Sequence, residues 1–235
     1  MQISIWSDIR CPFCYIGKRK FEAALANFPH KDKIKVEWKS FELDPYLETQ
    51  TEVDYTEYFM KHKNVDKDTA LGMFNHVSKM ANEVGLHFNV EKGVIANSLN
   101  AHRLLHYAKT EGLTDETKEI LLKAQLEQGE NIDDKTVLLD LAVAIGLNKE
   151  KVARMLSSKA YTYEVRQDEL EARNLGINGV PFFVLDHKFG ISGAQSINVF
   201  AEALEKAWKN HKEEDITMLP VGEDGSSCDV DGNCD

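Results

Sequence analysis

The sequence feature that most constrains the fold is a pair of cysteines, Cys11 and Cys14, at a predicted junction between a strand and a helix. Alternating apolar residues over 2–6 predict the strand. Pro12 suits the first turn of a helix, because its missing N–H would have no intrahelical partner there. Cys11 is therefore expected at or just before a helix N-terminus, with Cys14 about one turn further along.

This placement indicates redox chemistry. Unpaired N–H groups and the positive end of the helix dipole favour an anion at Cys11, and Arg10 adds a neighbouring positive charge. Since the thiolate is the reactive form of cysteine, we expect Cys11 to have a lowered pKa and to attack disulfides. Cys14 is then the resolving thiol, which closes an intramolecular disulfide and releases the partner.

Two other interpretations of the cysteine spacing are less favoured. Zinc ribbons also use such pairs, but they need a second pair or histidines nearby, and Cys228 and Cys234 lie far along the chain. The histidines show no ligand spacing, so we predict no metal site. Two buried, unreactive cysteines would leave the Pro and Phe between them at a strand–helix junction unexplained.

Composition limits the classes of partner. The 235 residues carry a net charge of −11, which argues against nucleic-acid and anionic-membrane partners, and no apolar run approaches the length of a membrane span. Because Met1 and Gln2 lead directly into the first strand with no signal peptide, we expect a cytoplasmic protein. Four cysteines in a reducing compartment are then expected to be catalytic or redox-sensing rather than structural.

The hydrophobic patterns divide the chain into three parts. Residues 1–53 begin with strand, helix and strand, which indicates an α/β sheet domain. Helical periodicity dominates residues 54–158, which we interpret as an all-helical insertion. Residues 159–211 return to the sheet domain with a helix, a strand–turn–strand unit and a last helix. Residues 212–235 are acidic and turn-rich, and they are predicted to form a flexible tail.

Four short segments carry a family resemblance. They are 11–17 (CPFCYIG), 97–104 (NSLNAHRL), 176–183 (GINGVPFF) and 190–195 (GISGAQ). These segments resemble the DsbA-like oxidoreductases of the thioredoxin superfamily, and most closely their FrnE-like branch. The resemblance implies a thioredoxin fold, in which a mixed central sheet flanked by helices is interrupted by a large helical domain.

The resemblance also assigns roles to individual residues. It implies that Cys11 is the attacking thiol and that a cis peptide before Pro181 lies against it. The Val180 backbone would then pair with an extended substrate, and Pro12 and Phe13 would contribute to the same binding surface. Because many periplasmic DsbA proteins have His where this chain has Phe13, we expect Cys11 to be less acidic than the extreme of about 3.5, and nearer to the thioredoxin value of about 7.

The leading functional interpretation is a thiol–disulfide oxidoreductase that acts on protein or small-molecule thiols and disulfides, with no cofactor beyond its own cysteine pair. The direction is open between oxidase, reductase and isomerase, and a homodimer is compatible with the sequence. The same branch contains glutathione-dependent 2-hydroxychromene-2-carboxylate isomerases and kappa-class glutathione transferases, which typically carry Ser where this chain has Cys11. Glutathione therefore remains a candidate co-substrate, and a redox-sensing or chaperone-like binding module is a third interpretation.

Two further pairs of residues have an open interpretation. His102 and Arg103 either line a cleft between the two subdomains or serve as solvated or helix-packing residues. Cys228 and Cys234 form a second pair near the C-terminus, which FrnE-like proteins also tend to carry. A flexible segment of about 18 residues spans roughly 20–25 Å, so this second pair could exchange electrons with Cys11 and Cys14, or its cysteines are incidental to a disordered tail.

Overall fold

The computed structural model describes residues 1–211, whose strands form one mixed sheet of four. The strands are β1 (Gln2–Ser7), β2 (Lys35–Ser40), β3 (Phe182–Leu185) and β4 (Phe189–Ser192). Their order is β2-β1-β3-β4, with β2 parallel to β1, β3 antiparallel to β1, and β4 antiparallel to β3. The predicted α/β class with a mixed central sheet is thereby confirmed.

Nine α-helices surround this sheet within the described residues. They are α1 (Pro12–Ala26), α2 (Tyr55–Lys63), α3 (Lys67–Asn82), α4 (Leu99–Thr110), α5 (Thr114–Lys123), α6 (Lys135–Ala144), α7 (Lys149–Ser157), α8 (Thr162–Asn174) and α9 (Ile197–Asn210). A π-helical turn (Ala124–Gln128) extends α5, and short 3₁₀ turns occur at Lys31–Lys33 and Val90–Lys92. Among residues 1–211, the structure has no helix with the length and apolar character that a membrane crossing requires.

Several helices begin where a short polar side chain can replace the missing intrahelical partner of a backbone N–H. Such capping satisfies donors that would otherwise be unpaired and contributes about 1 kcal/mol per helix. The capping residues, each accepting from an N–H in the first turn, are Asp54 for α2, Asp66 for α3, Asp134 for α6, Asn148 for α7 and Ser196 for α9.

The sheet core lies around the central strand β1, where Ile3 and Ile5 are fully buried. Aromatic rings of three elements meet on this face: Phe21 of α1, Phe183 of β3 and Phe200 of α9, with centroids 4.7 to 5.8 Å apart. Such tilted and edge-to-face contacts are favourable for aromatic pairs. They fix α1 and α9 on one side of the sheet, and so place the start of α1 beside the end of β1.

The helices from α2 to α7 coincide with the predicted insertion at 54–158, and several of them share a second core. The two cores are interlocked, because Ile9 of the β1–α1 loop is buried in the helical core and Leu105 of α4 is buried in the sheet core. The division into a sheet domain and a helical domain therefore stays a prediction. The interlocking brings α5 close to the loop that carries the cysteine motif.

Candidate active site

The two cysteines of the motif lie at the start of α1 as free thiols. Cys11 is the N-cap residue, Pro12 occupies the start of the helix, and the N–H of Cys14 donates to the Cys11 carbonyl at 3.0 Å. Cys11 is 4% exposed and Cys14 is 1% exposed. Of the two, only Cys11 lines the neighbouring cavity, so a ligand reaches Cys11 first.

The loop before β3 packs directly against Cys11. The peptide bond between Val180 and Pro181 is cis, and the Cys11 thiol lies 3.6 Å from the Val180 carbonyl oxygen, to which it can donate. This approach depends on Gly17 of α1, because a Cβ added there would lie 3.0 Å from Cγ of Pro181. The structure thus brings together two segments that are about 170 positions apart in the chain.

A buried carboxylate and a buried imidazole lie beneath the motif. Asp8, in the β1–α1 loop, and His102 of α4 are both fully buried, and His102 Nε2 lies 3.4 Å from Asp8 Oδ1. Burial opposes the ionisation of Asp8, but the hydrogen bonds from His102 and from the Leu43 N–H outweigh it and lower the pKa of Asp8 to about 2. Burial also lowers the pKa of His102, so its ring is neutral near pH 7 and donates a hydrogen bond to the Asp8 carboxylate.

Lys118 of α5 adds a buried amine to this cluster. Its side chain is 0% exposed, and its Nζ atom, 5.4 Å from the Trp38 ring centroid, has no hydrogen-bond partner among the described residues. Burial lowers the pKa of Lys118 to about 8, although the charges of Cys14 and Asp8 favour the protonated form. An amine with this pKa can exchange protons near neutral pH.

The neighbouring residue on α5 anchors that helix to α1. Glu119 accepts hydrogen bonds from Tyr15 at 2.5 Å and from Lys18 at 2.6 Å, and it also pairs with Arg19. These contacts join the first helix of the motif to the helical region. They hold α5, which carries Lys118, against α1.

The two thiols titrate as one unit. Burial opposes thiolate formation at Cys14, but the hydrogen bond from Cys11 and the positive charge of Lys118 outweigh burial and lower the pKa of Cys14. The hydrogen bond to Cys14, together with burial, raises the pKa of Cys11 well above its ordinary value. The first negative charge of the pair is therefore favoured at Cys14.

This distribution of charge differs from the prediction that Cys11 carries the lowered pKa. The helix N-terminus and Arg10 would favour an anion at Cys11, but the positive charge of Lys118, on a helix more than 100 residues away in the chain, favours a thiolate at Cys14. The charge of Asp8 also disfavours a thiolate at Cys11. Local sequence around the motif gives no signal for either effect, and the expectation for Cys11 is corrected accordingly.

The remaining predicted residues fall into three groups. Pro12 and Phe13 line the cavity beside Cys11, and Phe13 is 38% exposed. His102 and Arg103 are buried, which excludes the solvated alternative, and neither lines the cavity beside Cys11. Arg103 donates to the backbone carbonyls of Met155, Ser158 and Ala160. Cys228 and Cys234 lie outside the described residues.

Sequence reasoning missed Asp8 and Lys118. Asp8 follows a buried strand and directly precedes the motif, which is a weak signal for a functional carboxylate. Lys118 lies in the charged segment TDETKEILLK, where it resembles a solvated helix residue, so no local pattern identifies it. Among residues 1–211, no group of three or more His, Cys, Asp or Glu side chains is arranged to hold a metal ion.

A Cys-x-x-Cys motif at a strand–helix junction, facing a cis-proline loop across a mixed sheet, defines the thioredoxin-like class of proteins. Residues 2–205 match the family described as the DSBA-like thioredoxin domain. The chain belongs to this family.

The chain is also similar to individual proteins. A probable DsbA oxidoreductase of Streptomyces coelicolor is 36% identical, with a TM-score of 0.87, 100% of this chain covered and 98% of the other. The YwbO protein of Bacillus subtilis is 28% identical over 89% of this chain and 98% of its own length. The cytosolic disulfide reductase DsbM of Pseudomonas aeruginosa is 16% identical, with a TM-score of 0.61, over 90% of this chain and 100% of that protein, and this likeness shows the fold alone.

Proposed function

We propose that the protein is a thiol–disulfide oxidoreductase in which Cys11 attacks a substrate disulfide and Cys14 resolves the mixed disulfide. The observation that carries this proposal is a pair of free thiols one helical turn apart, of which Cys11 faces a cavity and the Val180 carbonyl. Membership of the DsbA-like family supports the same chemistry.

Access, rather than acidity, assigns the attacking role. Cys11 reaches the cavity and Cys14 does not, so a substrate sulfur meets Cys11 first. The first negative charge of the pair is favoured at Cys14, and transfer of the Cys11 proton to the Cys14 thiolate places the charge on Cys11. The Cys11 thiolate then attacks one sulfur of the disulfide, the S–S bond breaks, and the other sulfur leaves as a thiolate that takes up a proton.

The second step needs a thiolate at Cys14, which the positive charge of Lys118 favours. With a pKa of about 8, Lys118 is mostly protonated near pH 7.5, so its charge favours release of the Cys14 proton to solvent. The Cys14 thiolate attacks the Cys11 sulfur and releases the second substrate thiol. One substrate disulfide is thereby reduced to two thiols, while the protein dithiol is oxidised to a disulfide.

Substrate docking in this proposal uses the residues around the cis-proline. An extended segment would pair with the Val180 backbone beside Pro181, and Pro12 and Phe13 would contact its side chains. The reverse reaction oxidises substrate thiols, and the reduction potential relative to that of the substrate decides the direction. The FrnE-like branch, isomerase activity, glutathione as co-substrate, homodimer formation and the cytoplasmic location stay predictions.

The test compares wild-type protein with Cys11→Ser and Cys14→Ser in insulin-reduction and scrambled-ribonuclease assays. We expect both activities to be lost in Cys11→Ser, and insulin reduction to fall strongly in Cys14→Ser. Full activity of Cys11→Ser would overturn the proposal. Activity that survives Cys14→Ser and saturates with glutathione would favour the isomerase or transferase alternative, and client binding without turnover in wild type would favour a chaperone-like module.

A further inference from the structure

A cavity of about 880 Å³ opens beside the attacking thiol. Its walls come from the start of α1, the helices α2 and α3, the 3₁₀ turn at Val90–Lys92 and the π-helical turn after α5. This volume lies in the range of small-molecule sites, which is about 300–1,000 Å³. Because Cys11 is only 4% exposed, a compact ligand inside the cavity reaches its sulfur more easily than a disulfide on the surface of a folded protein does.

The walls of the cavity are rich in aromatic rings. Two of them pack edge to face, since the centroids of Phe59 and Phe74 lie 4.9 Å apart at 64°. An aromatic ligand group would gain similar tilted or stacked contacts in this site. The aromatic residues that line the cavity are Phe13, Tyr55, Tyr58, Phe59, Phe74 and Phe88.

The charge of the cavity is opposite to that of the chain. Among the described residues that line it, Arg10 and Lys63 are cations and Asp44 is the one carboxylate, whereas the whole chain has a net charge of −11. The Nη1 atom of Arg10 is buried and has no hydrogen-bond partner within residues 1–211. A buried guanidinium nitrogen without a partner is unfavourable, and a ligand carboxylate beside the part of Arg10 that lines the cavity would offset this cost by pairing with the guanidinium charge.

We propose that this cavity binds a small disulfide that carries an aromatic ring and a carboxylate, with the carboxylate on the Arg10 guanidinium and the ring against Phe13 and the α2–α3 wall. This inference rests on the proposed function, because it names the substrate class of the same thiol. The chemical step is unchanged: the ligand S–S bond breaks as the Cys11–ligand bond forms. Attack by Cys14 then yields the protein disulfide and two ligand thiols.

Binding is measured by isothermal titration calorimetry in a variant in which Cys11, Cys14, Cys228 and Cys234 are all replaced by Ser, so that no thiol of the chain can react with the probe. The probes are 4,4′-dithiodibenzoate (aromatic and anionic), 4,4′-dithiodipyridine (aromatic and neutral) and 3,3′-dithiodipropionate (aliphatic and anionic). We expect the dibenzoate to bind about tenfold or more tightly than either of the others. Glutathione disulfide, which has no aromatic ring, is titrated for comparison. Equal affinity for all three probes, or tighter binding of glutathione disulfide than of the dibenzoate, would overturn the proposal.

Variants in the same background assign the two parts of the site. Arg10→Gln should weaken the dibenzoate about tenfold or more and leave the dipyridine unchanged, while Arg154→Gln, at an exposed position of α7, should change neither. Phe13→Ala, at a partly exposed position, should weaken both aromatic probes and not the aliphatic one. If Arg10→Gln folds and its affinity for the dibenzoate is unchanged, the assignment is wrong. If Arg10→Gln does not fold, an unchanged dibenzoate affinity in Phe13→Ala contradicts the assignment instead.

A second measurement separates this inference from the proposed function. Wild-type dithiol protein is mixed with bis(2-hydroxyethyl) disulfide, which is small and uncharged, and its single-turnover oxidation is followed. If Cys11-dependent oxidation occurs but the three probes bind equally, the substrate class is wrong and the oxidoreductase proposal stands. If this disulfide, insulin and the dibenzoate all fail to oxidise the protein, the proposed function itself is wrong, and with it this inference.

Discussion

Replacing Lys118 with methionine removes a buried cation while keeping a side chain of similar length in the same space. The ordinary lysine pKa is 10.5 and burial lowers that of Lys118 to about 8. At about 1.4 kcal/mol per pKa unit, protonation of this amine costs the folded state about 3 kcal/mol at pH values below 8. The side chain of Lys118 is 0% exposed, so solvent does not screen this cost.

The sign follows from proton linkage. Between pH 8 and 10.5 the unfolded chain keeps the lysine proton while the folded protein has released it, so the unfolded state binds more protons and the stability attributable to Lys118 rises with pH. The variant has no such gain. We therefore expect Lys118→Met to be more stable than wild type at pH 7, and this advantage to shrink by about 3 kcal/mol as the pH rises towards 10.5.

The assay is urea unfolding followed by tryptophan fluorescence at pH 7, 8, 9 and 10, with reductant present. Lys123→Met is the matched control, since Lys123 lies on the same helix but is exposed, and its effect should not vary with pH over this range. The Lys118→Met variant should also raise the first pKa of the cysteine pair, measured by thiolate absorbance. A difference between wild type and Lys118→Met that stays constant from pH 7 to 10 would refute the reasoning.

Two further substitutions test the parts of the site that surround the thiols. Asp8→Asn removes a carboxylate whose pKa falls from 3.8 to about 2 in the folded protein. Because such a group stabilises the folded state above its unfolded pKa, the free energy of unfolding of the variant should be about 2 kcal/mol lower than that of wild type at pH 5. This difference should disappear from the unfolding curves as the pH falls from 4 to 2. Gly17→Ala places a Cβ 3.0 Å from Pro181, so the free energy of unfolding, measured by thermal denaturation, should fall by about 1–3 kcal/mol. The control is Gly72→Ala in α3, where a Cβ meets open space, and this substitution should stabilise the protein. An unaltered melting temperature in Gly17→Ala would contradict the close packing of the cis-proline loop.

Sequence patterns were sufficient for the strands of the sheet and for the start of the helix that carries the cysteine motif. Period-two alternation identified β1 and β2, and Pro12 fixed the start of α1, because these signals depend on residues that are adjacent in the chain. The strand–turn–strand unit within 159–211 was also predicted, and in the structure Asp186 and His187, between β3 and β4, have the positive φ that a tight turn requires. The pairing of Cys11 with Val180 and Pro181 needed the family resemblance, since no local rule brings these segments together.

The electrostatics of the site could not be predicted in this way. The pKa of each thiol depends on Lys118 and Asp8, and the charge state of Asp8 depends in turn on His102, 94 positions away. Whether Lys118 is solvated or buried is decided by how α5 packs on α1 and β2, through contacts such as those of Glu119. Charged residues on amphipathic helices are usually solvated, so the sequence favoured the wrong environment for this lysine.

The most direct test of the central claim is to trap the mixed disulfide and locate it by mass spectrometry. Reduced protein carrying Cys14→Ser, and separately Cys11→Ser, each with Cys228→Ser and Cys234→Ser so that one thiol remains, is mixed with one equivalent of a disulfide substrate and quenched with acid. The account predicts that Cys14→Ser accumulates one substrate adduct on Cys11, while Cys11→Ser accumulates little or none at Cys14, which does not line the cavity. A stoichiometric adduct on Cys14 in Cys11→Ser, with Cys11 unmodified in the other variant, would contradict it.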